Sequence, residues 1–92
     1  MSVIVIKMSN GSEVIAGLVK ETNTHIIVDR PRVIDIGQDQ HGNMQGGLIP
    51  YIISDPDRKN IQICIRQIVT SFPAPKELSD SYLQITSGIL LG

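Results

Sequence analysis

Val3-Ile4-Val5-Ile6-Lys7-Met8-Ser9-Asn10-Gly11-Ser12-Glu13-Val14-Ile15-Ala16-Gly17-Leu18-Val19 decides the fold. An apolar run carrying one lysine leads into Asn10-Gly11, and a second apolar run follows. Asn-Gly supplies the two positive φ angles of a type I′ turn, the strongest short hairpin signal. The stretch therefore predicts a strand over Val3–Met8, a tight turn, and a returning strand over Glu13–Glu21. Ala16-Gly17, in the middle of the return, leaves room for strong bending or close backbone approach.

Downstream the same grammar continues. Thr22-Asn23-Thr24 reads as a second tight turn and His25 to Ile36 as a third strand. Arg30-Pro31-Arg32 interrupts that strand, and proline, lacking a ladder donor, marks an edge or a bulge there. Gly37 to Gly47 is polar and glycine-rich and reads as a long loop. Leu48 to Ile53 predicts a fourth strand, and Ser54-Asp55-Pro56-Asp57 a turn. Ile61, Ile63 and Ile65 alternate with Gln62, Cys64 and Arg66, the pattern of a half-buried strand. Ile68 to Phe72 is the last strand, stopped by Pro73-Ala74-Pro75. The period then changes: Leu78, Tyr82, Ile85 and Ile89 fall at helical spacing. Pro75 suits a first helical position and Gly88 a position just past the end, so the spacing predicts a short helix over 75–86. Its apolar face is expected to cover an open end of the barrel or a neighbouring subunit.

Composition agrees. Among 92 residues, Ile occurs sixteen times and Val seven, against six Leu and two Ala. β-Branched side chains suit a pleated surface, whereas the best helix formers are scarce. The expectation is one mainly β domain over residues 1–92: a small, strongly bent, five-stranded antiparallel open barrel over about 2–73, then a short C-terminal helix. A chain this short buries only about 60% of the surface its unfolded form exposes, so self-association is an economical remedy for a thin core. No apolar run approaches the roughly 18 residues that span a bilayer. The N-terminal residues lack the pattern of a secretory leader, so none is expected, and Cys64 is the lone cysteine. A soluble cytoplasmic protein is expected.

The formal net charge is −1 and aromatics make up 3% of the residues. Those values speak against a broadly basic nucleic-acid binder and against a stacking platform of aromatic side chains. His25, His41 and Cys64 have no metal-ligand spacing. No nucleophile has an evident base and orienting partner, so no enzyme, cofactor or metal is expected.

Asn10-Gly11-Ser12-Glu13-Val14-Ile15-Ala16-Gly17-Leu18-Val19, with the turn at Thr22-Asn23-Thr24 and the bent strand after it, resembles the first motif of the Sm family. Ile65-Arg66-Gln67-Ile68-Val69-Thr70-Ser71-Phe72-Pro73 resembles the second, a basic turn between the last two strands. In Hfq, the bacterial Sm relative, that turn carries Tyr-Lys-His. The layout is most similar to short Sm-like proteins of phages, cyanophages among them, through Gly47-Leu48-Ile49-Pro50-Tyr51 and Ser87-Gly88-Ile89. The chain departs from the family at the first nucleotide-binding turn, where Thr22, Thr24 and His25 or Ile26 replace Asp, an aromatic and Asn. It departs again at Arg66-Gln67, which replaces Arg-Gly, and in a helix that follows the barrel.

The resemblance implies a homo-oligomeric ring built by edge-strand pairing between subunits. It also implies that single-stranded RNA, or DNA, is bound near the pore for RNA or DNA processing. Arg66, Gln67, His25, Asn23 and Thr24 would make the contacts. Arg grips phosphate bidentately, Asn reads a base edge and His stacks on one. The alternative for these residues is ordinary turn chemistry, and for the protein a phage structural or assembly scaffold without nucleic acid, with Ile89-Leu90-Leu91 as a docking segment. If phage-encoded, it acts in the host cytoplasm. Arg30, Arg32, Arg58 and Lys59 are a further candidate surface, largely cancelled by Asp29, Asp35, Asp55 and Asp57. His41, in the glycine-rich loop, lacks the helix or Gly-Lys-Ser/Thr ending of a phosphate cradle.

Overall fold

Strand β1 (Ser2–Met8) pairs antiparallel with β2 (Glu13–Glu21) through the register Ile4↔Ala16, Val5↔Ile15 and Ile6↔Val14. The computed structural model describes residues 2–38, 40–42 and 44–87. Asn10-Gly11 does make the hairpin, by a different turn from the type I′ expected. Only Gly11 takes a positive φ, of 95°. Its N–H donates to Met8 O at 3.0 Å, while Asn10 Oδ1 accepts from Ser12 N at 2.9 Å. This is the three-residue loop in which a left-handed glycine closes an ordinary turn. The asparagine side chain caps the backbone locally, so Asn10 need not enter the left-handed region.

Strand β3 (His25–Gln38) follows the turn at 22–24 and pairs with β2. At Arg30-Pro31 the register jumps from Gly17↔Asp29 to Ile15↔Arg32. Two residues thus oppose Ala16, the bulge that the proline announces. Arg30 lies in the left-handed region at φ 49°, and Pro31 is fully buried. On its other edge β3 changes partner at the same place. Residues His25–Val28 pair with β5 (Ile61–Cys64), and Arg32–Gln38 pair with β4 (Met44–Pro50). The N–H of Arg30 turns outward to Arg58 O at 2.8 Å, and Pro31 O accepts from Tyr51 N at 3.2 Å.

The order is β4-β3-β2-β1-β6, with β5 also against β3 and β6 (Ile68–Pro73) on β1. The sheet therefore has six strands rather than five and is not closed into a barrel. A 3-10 turn, Ile65–Gln67, carries the chain from β5 to β6. The sheet is nonetheless curled: Ile63 of β5 and Ile68 of β6 join one inner cluster with Ile4, Ile6, Val14, Ala16 and Val28. The glycine-rich segment read as a loop is largely a hairpin. Strand β3 runs on to Gln38 and β4 begins at Met44. A Cβ at Gly37 or Gly47 would meet nothing within 4 Å, so these glycines sit in extended, open backbone. The ladder leaves β4 at Pro50, and Tyr51–Ile53 fall outside it.

Helix α1 (Lys76–Ser87) begins one residue after Pro75, close to the 75–86 expected. It covers neither an open end nor, within the chain, a vacant rim. It lies on the outer face of the sheet, where Tyr82, Leu78 and Leu83 pack on Val3, Val5 and Ile15. The reason is that β1 and β2 are apolar on both faces, so the face opposite the curl also needs cover. Tyr82 is 1% exposed. Its hydroxyl accepts from Gly17 N at 3.0 Å and donates to Asp29 O at 2.8 Å, bridging a β2–β3 pair beside the bulge. Ile85 remains about half exposed. Ile89, Gly88 and the segment Ile89-Leu90-Leu91 lie outside the described residues.

Burial raises the Tyr82 hydroxyl above its ordinary value near 10, against lowering by the Gly17 bond and by Arg32 and Arg30. Tyr82→Phe leaves a buried donor and acceptor unbridged and is expected to cost about 1–3 kcal/mol in urea denaturation. The folded state favours the neutral phenol. Its stabilisation is complete below pH 10 and is lost as pH rises through the raised value. Wild-type stability should therefore fall in that alkaline window, and the fall should be smaller in Tyr82→Phe.

Candidate nucleic-acid interface

The two segments expected to face nucleic acid meet at one end of the sheet. Ile65 N, which opens the 3-10 turn, donates to Thr24 O at 2.9 Å. The pair His25↔Cys64 continues that contact into the β3–β5 ladder. Thr24 and Ile65 are thus locked together although they lie far apart in sequence. Gln67 O accepts from Ser9 N at 2.8 Å, which brings the β1–β2 hairpin turn to the same end. Three turns, 9–12, 22–24 and 65–67, therefore converge.

Thr22 organises the middle turn. Its Oγ1 accepts from Thr24 N at 3.3 Å and from His25 N at 3.0 Å. The same hydroxyl lies 3.2 Å from His25 O, an acceptor for its proton. Thr24 Oγ1 is 2.8 Å from His25 Nδ1, a contact that fixes the imidazole plane. Asn23 and Thr24 are exposed and His25 is half-buried. Asn23 makes no side-chain hydrogen bond among the described residues, so both faces of its amide are open to a ligand.

Arg66 and Gln67 are exposed and differ in how committed they are. The Gln67 side chain accepts from Ser9 Oγ at 3.2 Å through Oε1, so its carbonyl is already employed in joining two turns. Arg66 has no ion pair or hydrogen bond among the described residues. It is the one lysine or arginine among the five. Ser9 was not singled out by the sequence; a serine before Asn-Gly reads as turn filler, and only the fold shows it touching Gln67.

The four-cation lateral surface does not form. Arg32 is 5% exposed and donates to Asp57 Oδ1 at 2.7 Å, to Pro56 O and to Arg30 O at 3.2 Å. It clamps the 51–60 segment over the bulge, an internal role that solvated-face reasoning misses. Asp29 Oδ1 accepts from Asn60 N at 2.8 Å and Arg58 pairs with Asp55 at 3.5 Å. Asp55 and Asp57 therefore face separate arginines. Among the described residues no group of three or more His, Cys, Asp and Glu could hold a metal ion. No helix among them is long and apolar enough to cross a membrane.

Thr22→Val removes the hydroxyl that holds two backbone donors. The expected result is a loss of about 1 kcal/mol, with faster hydrogen exchange at the Thr24 and His25 amides than at Val28. No protein-family model matches the chain, and no curated protein matches it.

Proposed function

We propose that this chain is an Sm-like nucleic-acid-binding protein that assembles into a homo-oligomeric ring and binds single-stranded RNA, or DNA, at the end where its turns converge. The observation that carries this reading is the hydrogen bond from Ile65 N to Thr24 O. It holds the turn that carries Arg66 against the turn at 22–24, and in this reading Arg66 supplies the cation, Asn23 and Thr24 read a base edge and His25 stacks on a base.

Assembly is supported by edges of β5 and β6 that pair with no strand among the described residues. Strand β6 reads Ile68-Val69-Thr70-Ser71-Phe72-Pro73, with Val69 67% and Phe72 41% exposed. It contains no charged residue, and neither does β5. Edges are ordinarily protected by lysine, bulges or cover. A β6 strand laid against the β5 edge of the next subunit removes both liabilities and, repeated, makes a ring.

The scaffold reading is favoured by one observation: the three converging turns, 9–12, 22–24 and 65–67, carry Arg66 as their one lysine or arginine, and Gln67 is engaged with Ser9. Gel filtration with in-line light scattering and an ultraviolet spectrum separates the two. The ring reading expects a discrete multimer that carries absorbance near 260 nm, removed by nuclease or salt. A multimer that never binds single-stranded RNA or DNA at low salt leaves the scaffold. Arg66→Ala is expected to weaken binding roughly tenfold and to flatten its salt dependence, since phosphate contacts release counterions. Val69→Lys is expected to break the ring while leaving the far-ultraviolet circular dichroism unchanged; a ring that persists with Lys at this position would exclude the β6 contact.

A further inference from the structure

Helix α1 does not cover the outer face as far as its edge. Between its flank and the β3–β4 hairpin lies a cleft of about 450 Å³, lined by Ile34, Ile36, Gly46, Leu48, Leu78 and Ile85. Ile36 is 63% and Ile85 52% exposed. The floor of the cleft is β4, the last strand in the order, with one side on β3 and no partner on the other among the described residues. From Met44 to Ser54 the sequence has no charged residue. A bare edge and an apolar cleft thus coincide, and whatever covers them must supply both a strand and an apolar side chain.

Strand β4 itself meets that demand. Leu48 pairs with Ile34 and Gly46 with Ile36, so Leu48 and Gly46 point to the outer face, into the cleft. Place a two-fold axis normal to the sheet through Gly47, the middle residue of Met44–Pro50. The two β4 strands then run antiparallel, and Leu48 of each copy stands opposite Gly46 of the other. A side chain at Gly46 would meet only Asp35 O, at 3.9 Å, so there is room for the leucine. The same two-fold keeps both outer faces on one side, and the two clefts merge between the two helices. With no charge on either edge, like charges do not oppose one another across the pair. Strand β6 does not serve as well. Brought antiparallel to β4 by its own free edge, β6 must turn its outer residues, Phe72 among them, to the side away from the cleft.

We infer that β4 is a second self-association surface, an isologous contact in which Leu48 of one copy fills the space over Gly46 of the other. The contact does not require nucleic acid and uses an edge other than that of the ring.

The Val69→Lys protein isolates it. That protein is expected to run at twice the 10.1 kDa chain mass in light scattering at micromolar concentration. Adding Gly46→Lys, which meets no clash in the single chain, is expected to halve the mass with unchanged circular dichroism. In a Cys64→Ser background, Gly47→Cys is expected to give a covalent dimer on mild oxidation, because residues opposite in an antiparallel pair lie within disulfide reach. A monomeric Val69→Lys protein overturns the inference, as does a dimer that survives Gly46→Lys and gives no cross-link. If the unsubstituted chain is itself only a dimer, and Gly46→Lys splits it, this contact stands and the ring reading fails. If the unsubstituted chain is a ring and Val69→Lys is monomeric, the reverse holds.

Discussion

The bulge at Arg30-Pro31 is the constraint from which the rest of this structure follows. A left-handed non-glycine residue costs on the order of 1 kcal/mol or more, and here it is Arg30, at φ 49°. The surroundings over-determine it. Pro31 has no N–H to place, the N–H of Arg30 reaches Arg58 O, and the Arg32 guanidinium is wrapped by Pro56 O and the Asp57 carboxylate. Because the strand twists there, β3 can serve two partners on one edge, β5 before the bulge and β4 after it. The Tyr82 hydroxyl then bridges Gly17 and Asp29 on the residue pair next to the bulge. Helix, sheet and the 51–60 segment are therefore all keyed to one irregularity.

Two-sided burial of β1 and β2 is the second consequence. A chain of 92 residues has little core to give, and this one divides it between an inner cluster around Ile6 and Val28 and an outer one around Val5 and Tyr82. Its helix is committed to the outer face at Tyr82, and no other element among the described residues covers the strand edges. Val69, Phe72, Ile36 and Ile85 remain exposed where the sheet ends or the helix stops short.

Much of this is legible in the residues. Alternation at Ile61 and Ile63, the Asn-Gly hairpin, Pro31 as a bulge and the helical spacing of Leu78 and Tyr82 each place an element correctly, whereas Ile65, which continues the alternation, lies past the strand in the 3-10 turn. What escapes the sequence is non-local. Gly37 to Gly47 looks like a loop because glycine and glutamine are poor strand formers, yet pairing with the second half of β3 decides it. Asn10 keeps out of the left-handed region because its side chain finds Ser12 N. Arg32 looks like a solvated cation until the fold lays Asp57 over it. At the candidate site, nothing local in the residues joins the 22–24 turn to the 65–67 turn; only the resemblance implied it, and the Ser9–Gln67 contact depends on which turns the curl brings together.

In the proposed ring, electrostatics would link the turn end to the bare edges. One arginine at the turn end of a chain of net charge −1 would make too few phosphate contacts for useful affinity at physiological salt, where each contact is weakened by competing cations. Copies held at fixed spacing change that arithmetic, because the second and later contacts become intramolecular and their effective concentrations reach the millimolar range. In the proposed ring, Arg66 would matter for binding only to the extent that β6 and its receiving edge hold several copies of it around one strand. In this protein the packing surplus of small strands, left uncharged at their edges, would be the precondition for the polar chemistry at their turns.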